Sequence, residues 1–225
     1  MLRCAHRMPG VARASGALTD PVARRLRVML TALVRCLSML AMLGAIASCS
    51  QAPAAFKTSD ITGSSFARDF KLKEPSGATR TLADFRGKVV VVFFGYTHCP
   101  DACPTTLADL AAAMKKLGAD ASRVQVLFIT VDPERDTPEL LAQYVPAFNP
   151  TFLGLYGDAA ATEAVAKEYK VIYQKHAGDT PGSYTVDHSA GSFIYDPQGR
   201  VRLYASYGQG ADVFAHDIAA LLKGA

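Results

Sequence analysis

Two cysteines, Cys99 and Cys103, stand four residues apart in Thr97-His98-Cys99-Pro100-Asp101-Ala102-Cys103-Pro104. If that segment turns helically, a four-residue step puts both sulfurs on one side. A sulfur pair in an exported domain closes a disulfide, cycles as a redox couple or holds a metal ion. The spacing alone leaves all three open. The other cysteines, Cys4, Cys36 and Cys49, lie near the N-terminus, as do five of the six methionines. Only Met114 remains beyond that region. A methionine-rich copper motif is therefore excluded, and a soft-metal site would have to use the two thiolates.

The elements around the pair place it at a strand-to-helix junction. Residues 88–96 (KVVVVFFGY) form a continuous β-branched and aromatic run, the signature of a strand buried on both faces. Beyond the cysteines, Leu107, Leu110, Ala111, Met114 and Leu117 recur at helical spacing, with Gly118 as the stop. Pro104 suits the first turn, where its missing amide is no loss. A helix N-terminus carries free amides and partial positive charge, so a cysteine there has its thiolate stabilised.

The remaining pattern is alternating. Residues 66–72 and 79–82 flank the turn signal Glu74-Pro75-Ser76-Gly77 and predict a hairpin. Residues 123–131 predict a second buried strand, broken by Asp132-Pro133-Glu134-Arg135-Asp136. Thr137 and Asp158 are expected helix caps, with a short strand over 152–156 between them. Residues 192–195 and 201–205 predict a hairpin around Asp196-Pro197-Gln198-Gly199, and 212–222 an amphipathic helix. The expectation is an α/β domain with a central mixed sheet flanked by helices, and no internal repeat.

The N-terminal region reads as a leader. Arg24, Arg25 and Arg27 precede an apolar run interrupted by Arg35, and Ile46-Ala47-Ser48-Cys49 is similar to a bacterial lipobox. Arg35 sits badly in a membrane span, which favours a cleaved leader over an uncleaved anchor helix. The expected organisation is a leader over 1–48 cut before a lipidated Cys49, a Pro- and Gly-broken tether over 49–65, and one domain over 66–225. Residues 1–48 hold seven arginines and one acid, leaving 17 basic and 19 acidic residues and a formal charge of −2. The basic balance belongs to the leader, and nothing supports nucleic-acid binding.

The segment Gly95-Tyr96-Thr97-His98-Cys99-Pro100-Asp101-Ala102-Cys103-Pro104 closely resembles the signature of the Sco/SenC family of copper-binding cytochrome c oxidase assembly proteins. Thr130-Val131-Asp132-Pro133-Glu134-Arg135-Asp136-Thr137 is similar to that family's loop after the next core strand. Tyr184-Thr185-Val186-Asp187-His188-Ser189 is similar to the segment holding its histidine ligand. The three occur in the family's order, over residues 66–225. The resemblance implies a thioredoxin-like fold with inserted hairpin elements and a copper site made by Cys99, Cys103 and His188. Thiolates favour Cu(I), and imidazole accepts both Cu(I) and Cu(II). The implied role is a metallochaperone for the CuA centre of cytochrome c oxidase, with oxidase subunit II or another copper chaperone as its partner. It would be anchored by its N-terminus with the domain on the periplasmic side of a bacterial envelope. The alternative is a thiol–disulfide oxidoreductase acting on envelope or oxidase cysteines, which needs Cys99 and Cys103 but not His188. A peroxidase role has no residue that speaks for it, and a redox or copper sensor would use the same residues as a chaperone.

Each residue also has a plainer reading. The cysteines would serve as a structural disulfide, which their position before a helix disfavours. His188 would be an ordinary core or surface histidine, against which stand the family match and its neighbour Asp187. His98 is the rival ligand, ranked second because adjacent side chains on an extended segment point apart. His176 and His216 read as surface residues, Asp101 as either a turn residue or a tuner of the thiolates, and Asp132 with Arg135 as a structural turn.

Overall fold

The computed structural model describes residues 21–44 and 56–225, apart from 182. The chain divides into two units, Met1–Ala52 and Pro53–Ala225. In the first, helix α1 (Pro21–Gly44) covers the basic and apolar parts of the expected leader. No helix among the described residues is long and apolar enough to cross a membrane. The expected lipidation site Cys49 lies outside the described residues.

The second unit begins with a short edge strand, β1 (Ser59–Asp60), paired antiparallel with Tyr204 and Leu203. A small hairpin follows, β2 (Lys71–Lys73) and β3 (Thr79–Thr81). Strand β4 (Val89–Gly95) is buried at every position. It runs through the cysteine loop into α2 (Ala102–Leu117), which Gly118 ends with φ 57°. Strand β5 (Val124–Thr130) then lies parallel to β4, with Val89 opposite Val124 and Gly95 opposite Thr130. Helix α3 (Pro138–Phe148) is capped by Thr137, whose hydroxyl accepts from the Leu140 amide at 3.3 Å. After β6 (Leu153–Leu155), helix α4 (Ala159–Glu168) is capped by Asp158, which accepts from Ala161 N at 2.8 Å. Strands β7 (Tyr173–Ala177) and β8 (Tyr184–His188) pair as a hairpin. Strands β9 (Ser192–Tyr195) and β10 (Val201–Ala205) and helix α5 (Ala211–Leu222) close the chain.

Six strands make one mixed sheet in the order β1-β10-β9-β4-β5-β6, parallel only across β4–β5 and β5–β6. Side chains alternate across a strand, which explains the unbroken apolar run of β4. Val89, Val91 and Phe93 pack with Leu107, Leu110, Met114, Phe214 and Ile218 under α2 and α5. Val90, Val92 and Phe94 pack with Leu72, Leu82, Tyr169 and Tyr195 on the other face. Each such large side chain stabilises the fold by about 1.5–3 kcal/mol relative to exposure. Strand β4 is thus held from both faces, which fixes the point where the cysteine loop leaves it.

Three findings depart from the sequence expectations. The stretch expected as a tether to residue 65 is partly in the fold. Asp217 of α5, fully buried, accepts from Lys57 N at 2.9 Å, Thr58 N at 2.9 Å and the Thr58 hydroxyl at 2.7 Å, and β1 follows at once. These ties run through two backbone amides and one hydroxyl, and both β1 side chains are exposed, so no apolar signal marks them. The β7–β8 hairpin is likewise absent from the periodicity reading, and the first hairpin is shorter than residues 66–72 suggested.

Candidate metal centre

Three separate elements bring Cys99, Cys103 and His188 together. Cys99 sits in the loop after β4, half-buried, with its amide donating to Tyr96 O at 3.2 Å. Cys103 lies in the first turn of α2 and is fully buried. Its backbone amide donates to Cys99 Sγ at 3.4 Å, so a free amide of the helix start is spent on that sulfur. The loop is fastened from below by buried Asp136, which accepts from Thr97 N at 3.0 Å, from the Thr97 hydroxyl at 2.6 Å and from the Thr130 hydroxyl at 2.6 Å.

His188 ends β8, and its Nε2 lies 3.5 Å from Cys103 Sγ. Its Nδ1 is 3.2 Å from Ser189 O. A carbonyl only accepts, so that contact places the ring proton on Nδ1 and leaves the Nε2 lone pair facing the sulfurs. Phe93 and Tyr96 wall the imidazole edge-on, with centroids 6.3 and 5.9 Å away. The two Sγ atoms and one histidine nitrogen all lie within 4.8 Å of one another. Donors about 2.0–2.3 Å from one shared ion stand roughly 3.5–4 Å apart in a trigonal arrangement, so modest closure accommodates a soft ion. Neither cysteine is in a disulfide.

The two sulfurs divide one charge. Cys99 is lowered to about 5, chiefly because the Cys103 thiol donates to it, with the Asp101 and Cys103 amides adding to the effect against burial. Cys103 is pushed far upward by the same contact and by its burial. The apo pair is therefore a Cys99 thiolate beside a Cys103 thiol. With the folded value below that of a free thiol, Cys99 stays ionised down to about pH 5 and is protonated below it. Its reaction with an aromatic disulfide is expected to be level above pH 6 and to fall through a midpoint near pH 5. A midpoint near 8 in stopped-flow absorbance would contradict the assigned proton.

The other candidates are placed apart. His98 is exposed and turns to the Thr97 hydroxyl, 3.0 Å from Nδ1, outside the three-residue cluster. Asp187 does not support His188. It alternates to the outer face, is 80% exposed and pairs with His176 Nε2 at 3.2 Å. His216 contacts Asp217 at 2.8 Å. Asp101 accepts from the Thr105 hydroxyl at 3.3 Å and meets the Tyr207 hydroxyl at 3.5 Å, which suits a turn residue. Asp136 is the residue that sequence reasoning passed over, although it stands within the quoted loop motif.

A mixed sheet whose central strand runs through a Cys-x-x-x-Cys loop into a helix, with a histidine delivered from an added hairpin, defines a thioredoxin-like domain with a soft-metal type of donor set. The profile of the SCO1/SenC family matches residues 58–223, and the chain belongs to that family. The mitochondrial SCO2 homologue of Bos taurus is 42% identical over 146 residues, 64% of this chain and 55% of the cattle protein. The chain thus spans little more than half the length of that relative. Among solved structures, apo Sco1 of Thermus thermophilus is 42% identical with a TM-score of 0.68, over 76% of this chain and 99% of that one. Copper-bound ScoI of Bradyrhizobium japonicum is 37% identical with a TM-score of 0.63, over 68% and 98%.

Proposed function

We propose that this chain carries one copper ion as cargo, held by Cys99, Cys103 and His188, and serves as a metallochaperone for the CuA centre of cytochrome c oxidase. The observation that carries the reading is the convergence of two sulfurs and one imidazole nitrogen within 4.8 Å from three elements. Related Sco structures from Bradyrhizobium japonicum, Arabidopsis thaliana and yeast are described as copper-bound, which supports the choice of metal. Two thiolates bind Cu(I), and the imidazole extends the set to Cu(II). Loading displaces the Cys103 proton, because the ligand form is the thiolate. Three protein ligands leave one side of the ion open to a donor from the recipient. Cys49, lipidated once the leader over 1–48 is cut away, would tether the domain to the membrane on the periplasmic side, within reach of subunit II.

The free, unequal thiol pair also favours a second reading, a thiol–disulfide oxidoreductase in which Cys99 attacks and Cys103 resolves. His188 separates the two. Anaerobic titration of the reduced full-length chain is expected to give one copper per chain with thiolate-to-Cu(II) charge-transfer absorption. His188→Ala should lose that band and weaken Cu(II) by more than about 100-fold, beyond the range seen when only a ligand's supporting partner is removed. Equal copper binding in the variant would eliminate the three-ligand site. No tight copper in the parent, with rapid cycling of a Cys99–Cys103 disulfide, would favour the reductase.

A further inference from the structure

The β7–β8 hairpin that carries His188 forms its own two-stranded sheet and shares no ladder with the six-stranded one. Something else must hold the histidine at the cysteines. Strand β8 alternates: Thr185 and Asp187 are exposed, while Tyr184, Val186 and His188 share the inner face. Each inner residue is engaged by the sheet side. The Val186 amide donates to the Tyr96 hydroxyl at 3.3 Å. Tyr184, at the far end, donates its hydroxyl to Asp132 Oδ1 at 2.8 Å.

Arg135 ties the same end in two ways and is itself braced within its loop by Asp132. Its Nε donates to Asp132 Oδ2 at 2.5 Å, its Nη1 donates to Tyr184 O at 2.9 Å, and its guanidinium lies 3.5 Å from the Tyr184 ring centroid. Asp132 is completely buried and Arg135 is 23% exposed, so water competes little for these contacts. Lys175 on β7 adds a bridge to Glu134 at 2.6 Å. The loop after β5, which reads as a plain turn in the sequence, therefore grips the ligand-bearing hairpin across about fifty residues of chain.

We propose that Arg135 is a positioning residue: with Asp132 and Tyr184 it latches the β7–β8 hairpin to the sheet and thereby presents His188 to the two cysteines. Its bearing on copper rests on the three-ligand reading above, whereas its bearing on the hairpin does not. Cu(I) is satisfied by two thiolates, so loss of the latch affects chiefly the histidine-dependent Cu(II) form.

The test uses the full-length chain, reduced, as Arg135→Met, His188→Ala and the double variant. Arg135→Met is expected to lower Cu(II) affinity by about 10–100-fold, the range for groups that orient a ligand. Cu(I) affinity should stay within about threefold. In the His188→Ala background the same change should add nothing, because the latch acts through that histidine. An equal loss in that background, or Cu(II) affinity unchanged in the single variant, overturns the proposal. Hydrogen exchange of the apo hairpin amides, expected to speed up at least about tenfold, is read alongside. If the parent binds no copper the function fails, and exchange decides the latch: faster supports it, unchanged overturns it. Should Arg135→Met fail to fold, Tyr184→Phe, which removes only the bond to Asp132, takes its place with the same signs.

Discussion

Cys103→Ala is expected to leave the domain folded, without stable copper, and with a changed Cys99. The metal effect follows from ligand count: the remaining thiolate and imidazole give a site weakened by more than about 100-fold, again past the range for supporting groups. The effect on Cys99 is the sharper one. Its low value of about 5 comes first from the Cys103 thiol, so removing that donor returns Cys99 toward the ordinary thiol range near 8.5. The two consequences oppose each other. At pH 5.5 the parent is mostly thiolate, while an ordinary thiol is ionised about one part in a thousand. A thiolate of lower pKa is also the weaker nucleophile, by about 40-fold for a shift of roughly 3.5 units at the usual Brønsted slope. The variant should thus react with an aromatic disulfide about 20-fold more slowly at pH 5.5 and faster than the parent above about pH 7, where the profiles cross. If its midpoint instead stays near 5, the helix-start amides of Asp101 and Cys103 hold the charge, and the Cys103 thiol does not.

The residues that could be read correctly from sequence are those whose surroundings repeat. Strand β4 and helix α2 are buried along a face or throughout, and burial writes itself into apolar periodicity. Thr137 and Asp158 cap because the requirement for a cap is local, settled within three residues. The β7–β8 hairpin is the opposite case. It presents mostly polar residues to water, Val186 being its one buried side chain, so β7 leaves no alternation to find and that of β8 is too short and too polar to stand out. The histidine it carries was identifiable only by motif.

The same reasoning explains why Asp187 was misjudged. Neighbouring residues on a strand point to opposite faces, and the register that sends His188 inward sends Asp187 out to His176. Arg135 and Asp132 show a third limit. Their spacing of three makes a turn, which is legible, but their partner Tyr184 lies far along the chain, and such long-range grip has no local sequence correlate. The β1 edge and the Asp217 ties to Lys57 and Thr58 fall in the same class, because their partners lie far along the chain and no apolar pattern marks them.

Gly95→Ala is expected to damage both stability and site, and it tests how tightly the cysteine loop is built. Gly95 is the last residue of β4, in extended backbone opposite Thr130. A Cβ there would stand 2.7 Å from Cys103 Sγ and 2.8 Å from Phe128 Cε2. Neither neighbour yields easily: the Cys103 side chain is two atoms long at the helix start, and Phe128 is fully buried in the core. Replacing a strand glycine by alanine would alone stabilise by about 0.5–1 kcal/mol through the unfolded chain. Overpacking of a closed core costs about 1–3 kcal/mol, so the clash should win. At about 2–4 °C per kcal/mol for a domain of this size, the net loss in Tm is up to about 10 °C. The closest contact is the ligand sulfur itself, so copper affinity should fall with Tm, and Cys103 should become reactive as it is pushed from its pocket. A lower Tm with unchanged copper binding would mean that Phe128 absorbs the strain and the sulfur keeps its place. A variant that matches the parent in Tm, copper binding and thiol reactivity would rule out the close approach of β4 to Cys103 on which the geometry of the site depends.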